Sequence, residues 1–126
     1  MKILVAEDEP MLLKTIELKL KKEGYDVITA TDGRDAITKI EGLVPDMVIT
    51  DIMMPYASGL EIVSLVRKNT ENKIPIIILS AMEQEKVVME AFELGADDYI
   101  TKPFSLNELA IRVKRLMSQY GRTGSR

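Results

Sequence analysis

Short apolar runs alternate with longer stretches of helical periodicity along the chain, and the alternation occurs five times. No connection between runs is short enough for a hairpin, so the predicted strands pair in parallel through right-handed crossover helices. Apolar stripes such as Leu13, Ile16 and Leu20 mark the buried faces of those helices. The predicted strands are residues 3–6, 25–30, 47–50, 76–80 and 98–101.

The composition of the runs predicts the order of the strands. Runs one, three and four (ILVA, MVIT, IIIL) are almost purely apolar, which is typical of strands covered on both faces. Runs two and five carry more polar residues and therefore suit the edges. We predict an α/β fold: a doubly wound five-stranded parallel sheet of order 2-1-3-4-5 with five helices, the order known from flavodoxin-like proteins.

Local signals agree with this division of the chain. Gly24 and Gly95 stand where helices should end, and Asp32 and Ser105 stand where helices should begin. The length of 126 residues corresponds to one domain, which we place at residues 1–118. The polar, glycine-bearing stretch 119–126 is expected to be a flexible tail, the start of a linker or a vector-derived remnant.

The composition excludes several chemistries. The chain has no histidine, cysteine or tryptophan, which rules out a thiol nucleophile, a histidine base and metal sites built from thiolates or imidazoles. The net charge of −3 gives no basic surface for direct contact with nucleic acid. Neither a targeting signal nor an apolar stretch long enough for a membrane helix is visible, so we expect a soluble, cytoplasmic protein without membrane contact.

Polar side chains follow the predicted strands at the carboxyl edge of the sheet. They are Glu7 and Asp8 after strand one, Asp51 after strand three, Ser80 after strand four and Lys102 after strand five. Three carboxylates held together repel one another unless a cation is bound or one of them is protonated. Oxygen-only ligands favour a hard ion such as Mg²⁺. A nucleophilic carboxylate beside a metal, a lysine and a hydroxyl is what phosphoryl transfer to Asp51 needs.

Each of these residues also has an ordinary structural interpretation. Asp8 could cap the helix that begins near Pro10, and Ser80 could cap or close a turn. Lys102 could be a solvated surface charge, and Met53 a core methionine. Only their joint placement at successive strand ends favours the functional interpretation.

The same residues carry a resemblance to the receiver domains of bacterial two-component response regulators. The matching motifs follow the family's order over nearly the whole chain. They are ILVAEDE at residues 3–9, DIMMP at 51–55 followed by Gly59, the pair Ser80 and Ala81, and YITKPF at 99–104.

The resemblance implies a role for each matching position. Asp51 would accept a phosphoryl group from a phosphohistidine on a sensor histidine kinase or a histidine phosphotransfer protein. Asp8 and Glu7 would hold Mg²⁺ together with Asp51 and the backbone carbonyl of Met53. Glu7 stands where many members have aspartate, so its longer side chain would reach the metal through water.

The resemblance also implies a switch. Ser80, which replaces the commoner threonine, would hydrogen-bond the phosphoryl group, and Lys102 would pair with it through a cis Lys102-Pro103 bond. Tyr99 would move inward behind the displaced Ser80 and link the site to the face formed by helix four, strand five and helix five.

Residues 95–117 are similar to the subfamily whose receivers dimerise through that face and drive a winged-helix DNA-binding domain. The pairs Asp98 with Arg112 and Asp97 with Arg115 match its cross-dimer charge pairs, whereas Val88 replaces the usual basic partner of Glu108. The alternatives are that these charges pair within one chain, and that the protein is a stand-alone regulator acting by protein contact. The predicted interface residues are Met89, Phe92, Asp97, Asp98, Glu108, Ala110, Arg112 and Arg115.

Two rival functions use similar elements. An aspartyl-phosphate phosphatase needs a second acid two residues after the nucleophile, and here that residue is Met53. A binding module for a nucleotide phosphate needs glycines and hydroxyls after strand one, where this chain has Glu7, Asp8 and Glu9. We therefore predict a phosphoacceptor switch rather than an enzyme, with slow loss of the phosphoryl group because Met53 and Met82 shield it.

Overall fold

The computed structural model describes residues 1–69 and 74–124, which form a parallel five-stranded sheet of order β2-β1-β3-β4-β5. This is the predicted order, with strands two and five at the edges, and the fold prediction is confirmed. None of the helices in these residues is long and apolar enough to cross a membrane. The elements are β1 Lys2–Ala6, α1 Pro10–Lys22, β2 Asp26–Ala30, α2 Gly33–Leu43, β3 Met47–Asp51, α3 Gly59–Asn69, β4 Ile76–Ser80, α4 Glu85–Leu94, β5 Asp98–Thr101 and α5 Leu106–Gly124.

Strand ends differ from the sequence prediction by one residue at three places. Lys2 joins β1 because it pairs with Asp26 in the ladder. Tyr25 does not join β2, since its backbone N–H donates to the carbonyl of Leu20 at the end of α1. Asp51 is the last residue of β3, in register with Leu79 of β4. The residue proposed as nucleophile is thus fixed by the sheet itself.

The sheet separates two buried layers of apolar side chains. Ile76 and Ile78 of β4 pack in the layer beneath α2, α3 and α4, whereas Ile77 and Leu79 pack beneath α1 and α5. An inner parallel strand meets helices on both faces, and this explains the unbroken apolar run in the sequence.

The capping predictions are confirmed at the helix ends. The side chain of Asp32 accepts a hydrogen bond from the backbone N–H of Asp35, and Ser105 Oγ accepts one from Glu108. Gly95 ends α4 with φ 119°, and Gly24 follows the end of α1 with φ 99°. Both glycines adopt the left-handed conformation that residues with a Cβ avoid.

Val44 ends α2 in a conformation that a β-branched residue rarely adopts. Its φ is 44° and ψ 79°, and the residue is 53% exposed. We expect Val44→Asn to raise the free energy of unfolding by about 1 kcal/mol, because asparagine tolerates this region and little packing is lost. Urea unfolding at neutral pH measures the gain. Val44→Ala should gain less, and an Asn variant no more stable than wild type would contradict the strain assigned to Val44.

Arg67 connects α3 to the loops that precede β4 and β5. Its guanidinium donates to the carbonyls of Ile74 and Gly95 and to Asp97 Oδ2, at 2.7 to 3.0 Å. Asp97 Oδ2 also accepts the N–H of Ile76 at 2.8 Å. The amino-terminal ends of β4 and β5 are therefore held by one ion pair and its backbone contacts.

Helix α5 continues past Ser118, where we placed the end of the domain. It runs to Gly124, and the hydroxyl of Tyr120 donates to Asp97 Oδ1 at 2.6 Å while its ring packs against the layer beneath α1 and α5. Residues 119–124 thus extend a helix instead of forming an irregular tail, and residues 125–126 lie outside the described chain. The domain boundary itself stays a prediction.

The contact between Tyr120 and Asp97 predicts a pH dependence. Burial, with the hydrogen bond and charge of Asp97, raises the pKa of Tyr120 to about 12, while Arg67 acts to lower it. In the unfolded chain the pKa is about 10, so this stabilisation is complete below pH 10 and is lost as the pH rises to 12. In urea unfolding from pH 8 to 11, wild type should lose more stability than Tyr120→Phe. Equal losses would show that the hydroxyl does not contribute.

Candidate functional site

Three carboxylates meet beyond the carboxyl ends of β1 and β3. Glu7 and Asp51 are buried and Asp8 is exposed, and one oxygen of each lies within 4.8 Å of the others. Glu7 and Asp8 directly follow β1, and Asp51 ends the neighbouring β3. The structure thus brings together the acids that the sequence placed at adjacent strand ends.

Lys102 lies between two of these acids. Its Nζ is 2.7 Å from Asp51 Oδ2 and 2.8 Å from Glu7 Oε1, and its backbone N–H donates to the carbonyl of Ser80. The Lys102-Pro103 peptide is cis, as the resemblance implied. Lys102 therefore contacts both Asp51, the candidate nucleophile, and Glu7. The spacing of these residues in the sequence did not predict the two contacts.

The remaining oxygens of the buried acids bind backbone groups. Glu7 Oε2 accepts the N–H of Glu9 at 3.1 Å, and Asp51 Oδ1 accepts the N–H of Met53 at 3.3 Å. Asp8 is not the cap of α1: that residue is Glu9, whose side chain accepts the N–H groups of the first turn. The carboxylate of Asp8 makes no hydrogen bond to the part of the chain that is described, and it faces solvent at the edge of the cluster.

Burial and charge shift the ionisation of this cluster. Burial, reinforced by the charge of Asp51, raises the pKa of Glu7, against the lowering effect of its bonds to Lys102 and Glu9. Burial acts to lower the pKa of Lys102, but its hydrogen bonds to Asp51 and Glu7 prevail and raise it. Lys102 is therefore firmly cationic, and three acids around one lysine leave an excess of negative charge that suits a divalent cation.

The backbone around Asp51 is fixed by close contacts. A Cβ on Gly59 would lie 2.2 Å from the carbonyl oxygen of Asp51, so only glycine allows α3 to start this close to β3. Thr50 Oγ1 donates to the same carbonyl at 2.9 Å, and the N–H of Gly59 donates to Ile52. Gly59, identified from the motif, thus has a steric reason to be there.

Ser80 and Tyr99 both contact Met82, in the loop between β4 and α4. Ser80 Oγ accepts the N–H of Met82 at 3.0 Å, and the hydroxyl of Tyr99 donates to the carbonyl of Met82 at 2.7 Å. Ser80 is buried, and the ring of Tyr99 packs against the core beneath α4. Met53, in contrast, is 63% exposed and does not belong to the core, so the ordinary interpretation of Met53 is wrong.

Most predicted interface charges pair within one chain. Asp98 Oδ1 accepts from Arg112 at 2.7 Å, and Arg112 also binds Glu108 at 2.9 Å. Asp97 binds Arg67 instead of Arg115, whose nearest acidic atom is Asp98 Oδ2 at 3.6 Å.

The apolar part of the predicted face is exposed. Met89 and Phe92 face solvent, Ala110 is half-buried, and Ala91 packs in the core. Arg67 was not predicted as a contact residue, because nothing in the pattern of α3 shows what its side chain contacts. Ile111 was not predicted either. It is 68% exposed on α5, and the sequence shows it as an apolar residue among charged ones.

Comparison with known proteins relates most of the chain to one family. Residues 3–114 match the family described as "Response regulator receiver domain". The receiver domain of the Francisella response regulator 1452 is 40% identical, with TM-score 0.87 over 97% of this chain and 98% of its own. The receiver domain of HemR from Leptospira biflexa is 31% identical, with TM-score 0.86 over 93% and 94%. The DrrB receiver domain, solved in a BeF3-activated form, is 35% identical, with TM-score 0.85 over 93% and 97%.

Proposed function

Because the chain belongs to the response regulator receiver domain family, we propose that Asp51 is the residue that accepts the phosphoryl group. Receiver domains of two-component systems are phosphoacceptor switches that interact with histidine kinases or phosphotransfer proteins. One observation carries the choice of Asp51: its Oδ2 lies 2.7 Å from the lysine ammonium, and one of its oxygens lies within 4.8 Å of oxygens of Glu7 and Asp8. These 126 residues contain no histidine, so the donor phosphohistidine lies outside them.

The transfer uses groups already present at the site. A carboxylate oxygen of Asp51 attacks the phosphorus, and the P–N bond of the donor breaks. The donor imidazole keeps the electron pair, so Asp51 needs no general base. Lys102 neutralises charge on the phosphoryl oxygens, and the hydroxyl of Ser80 donates a hydrogen bond to one of them.

We propose Mg²⁺ as the cofactor, held by Asp8, Asp51 and the backbone carbonyl of Met53, with Glu7 acting through water. The support is the clustering of the three carboxylates and the exposure of Asp8. The ion would supply positive charge that offsets the negative charge of the phosphoryl group during transfer. Such a site, rich in carboxylate and poor in other ligands, suits an ion that keeps several waters.

Removing the carboxylate of Asp8 should abolish stabilisation by Mg²⁺. At a free Mg²⁺ concentration about tenfold above its Kd, binding of the ion stabilises the wild-type fold by about 1.4 kcal/mol. This raises Tm by about 5 °C. We expect no such rise for Asp8→Asn, and the wild-type rise for Asp26→Asn on the edge strand. Thermal unfolding with and without Mg²⁺ measures the rise in Tm. An equal rise in Asp8→Asn would show that Asp8 is not a ligand of the ion.

The two rival functions are less well supported. A phosphatase needs an acid at the position of Met53 to activate water. A methionine cannot do this, so rapid hydrolysis of a phosphoenzyme is not expected. A nucleotide phosphate would meet Glu7, Asp8 and Glu9 at the end of β1, where negative charge repels it.

We further propose that phosphorylation favours a homodimer through α4, β5 and α5, and that this contact directs transcription through a DNA-binding domain outside these 126 residues. Its support is the apolar exposure of Met89 and Phe92 on that face. The net charge of −3 favours protein partners over direct contact with DNA. The alternative is a regulator that acts by protein contact alone.

Incubation with acetyl phosphate and Mg²⁺ tests the proposed function. Mass spectrometry should show the added mass of one phosphoryl group, and borohydride reduction followed by proteolysis should locate it at Asp51. Omitting Mg²⁺ or adding EDTA should suppress the modification. Rapid multiple turnover of p-nitrophenyl phosphate would instead establish a phosphatase, and modification at another residue would overturn the assignment.

A further inference from the structure

The loop between β3 and α3, residues 52–58, contains a strained three-residue turn. The carbonyl of Pro55 accepts the backbone N–H of Ala57 at 2.9 Å, and Tyr56 between them has φ 74°. A turn of this kind with a positive φ at its centre is rare, because a side chain with a Cβ crowds the neighbouring carbonyl. Tyrosine keeps this conformation only where other contacts hold the turn closed.

The start of α2 lies directly against this turn. The N–H of Gly33 donates to the same Pro55 carbonyl at 3.0 Å. A Cβ on Gly33 would overlap the carbonyl oxygen of Ala57, so only glycine allows the helix to begin this close. The turn is therefore joined to α2 through one shared acceptor, the carbonyl of Pro55.

Arg34, the next residue of α2, stacks on the aromatic ring of the turn. Its guanidinium carbon lies 4.2 Å from the centroid of the Tyr56 ring, within the range of a cation–π contact. Tyr56 is 70% exposed, so burial in the core does not hold it in place. The contact with Arg34 adds a side-chain interaction between α2 and the turn to the backbone hydrogen bond at Pro55.

The other end of the loop belongs to the acid cluster. The N–H of Met53 donates to Asp51 Oδ1 at 3.3 Å. Two residues, Met54 and Pro55, separate Met53 from Tyr56, and both are stiff. The ring of a proline fixes its own φ, and the residue before a proline is restricted to extended conformations. A shift of the turn is therefore passed on to the peptide of Met53.

We propose that Arg34 and Tyr56 are positioning residues of the metal site. Their contact keeps the turn closed, and the closed turn fixes the peptide of Met53 before Mg²⁺ binds. A site formed in advance binds its ion more tightly, because ordering of the loop is not subtracted from the binding free energy. This inference rests on the proposed function, in which the carbonyl of Met53 is a ligand of Mg²⁺. Both residues act through the loop and not by contact with the ion.

The charge of Arg34 alone would have the opposite effect. A guanidinium near a cation site repels the ion, so its removal would tighten Mg²⁺ binding by Coulomb interaction. If Arg34 acts by holding the turn, its removal weakens the binding instead. The sign of the change therefore distinguishes a positioning role from a charge effect.

NMR titration of the isotope-labelled chain with MgCl₂, without a phosphodonor, tests the proposal. The backbone amide shifts measure the dissociation constant of Mg²⁺. Arg34→Ala and Tyr56→Leu should each raise this constant about threefold, the size expected for an exposed cation–π contact. The double variant should bind no more weakly than either single variant, because both changes remove the same contact. Tyr56→Phe keeps the ring and should bind Mg²⁺ like wild type.

Tyr56→Gly separates the turn from the arginine. Glycine adopts a positive φ without strain, so the turn of this variant does not need Arg34 to stay closed. Adding Arg34→Ala to Tyr56→Gly should therefore not weaken Mg²⁺ binding. Lys68→Ala is the matched control, since it removes an exposed positive charge from the last turn of α3, and its dissociation constant should equal that of wild type.

Two results would overturn the positioning role. One is unchanged or tighter Mg²⁺ binding in Arg34→Ala, and the other is a weakening that persists when Arg34→Ala is combined with Tyr56→Gly. Either result leaves the phosphoacceptor function of Asp51 standing. A wild-type chain whose amide shifts do not respond to Mg²⁺ would overturn both the cofactor proposal and this inference.

Discussion

The Asp51→Asn chain should take up phosphoryl groups from acetyl phosphate at least about a thousandfold more slowly than wild type. The amide has nearly the shape of the carboxylate but lacks a nucleophilic oxygen, and Lys102 keeps a hydrogen-bond acceptor at 2.7 Å. The fold should survive, because the variant removes one of three clustered carboxylates and so lowers their repulsion. Mass spectrometry over time, with Mg²⁺ present, measures the rate.

Asp26→Asn serves as the control for this prediction, since Asp26 lies at the opposite end of β2 from the cluster. It should be phosphorylated at the wild-type rate. If Asp51→Asn acquired the group at Glu7 or Asp8 at a similar rate, the cluster would contain more than one nucleophile and the assignment to Asp51 would be wrong.

Replacing Lys102 with methionine should lower the free energy of unfolding by about 3 kcal/mol. The side chains of Glu7 and Asp51 are 1% and 9% exposed, and each gives one oxygen to the lysine ammonium. Without Lys102 these oxygens are buried next to each other with no cation, and removing one member of a buried ion pair costs about 3–5 kcal/mol. We take the lower end of this range because the lysine side chain is 21% exposed, so that water partly screens the pair. Urea unfolding without Mg²⁺ measures the loss.

A second substitution separates charge from packing. Combining Glu7→Gln with Lys102→Met removes one buried negative charge, so the double variant should be more stable than Lys102→Met alone. Added Mg²⁺ should also recover part of the loss, because the ion supplies the missing positive charge. A Lys102→Met chain as stable as wild type would mean that the acids repel each other less than their burial indicates.

The sheet could be predicted from sequence because its inner strands face two cores. The run from Ile76 to Leu79 has no polar residue to reveal a solvent side, and this property identifies a central strand before any contact is known. The site could also be predicted, because the carboxyl ends of parallel strands lie at one edge of the sheet. Glu7, Asp51 and Lys102 lie at or directly after such ends.

Contacts between distant side chains could not be predicted in this way. Arg67 meets Asp97 only because α3 lies beneath the loop that precedes β5, and no periodicity records that neighbour. Asp98 and Arg112 were identified as charged partners, but the sequence could not tell a contact within one chain from one between chains. The helix cap at Glu9 was missed for a local reason, because glutamate is an uncommon cap and Asp8 beside it is a common one.

Ser80 connects the loop after β4 to the site through a hydrogen bond to Met82. A hydroxyl accepts and donates at once, and Ser80 Oγ already accepts the N–H of Met82, so its proton remains available to another acceptor. Each hydrogen bond in such a chain polarises the next, which makes the serine a stronger donor while the loop stays attached. A phosphoryl oxygen bound there would be joined through Ser80 to the N–H of Met82, whose carbonyl accepts the hydroxyl of Tyr99, so that two hydrogen bonds meet at one residue of the loop.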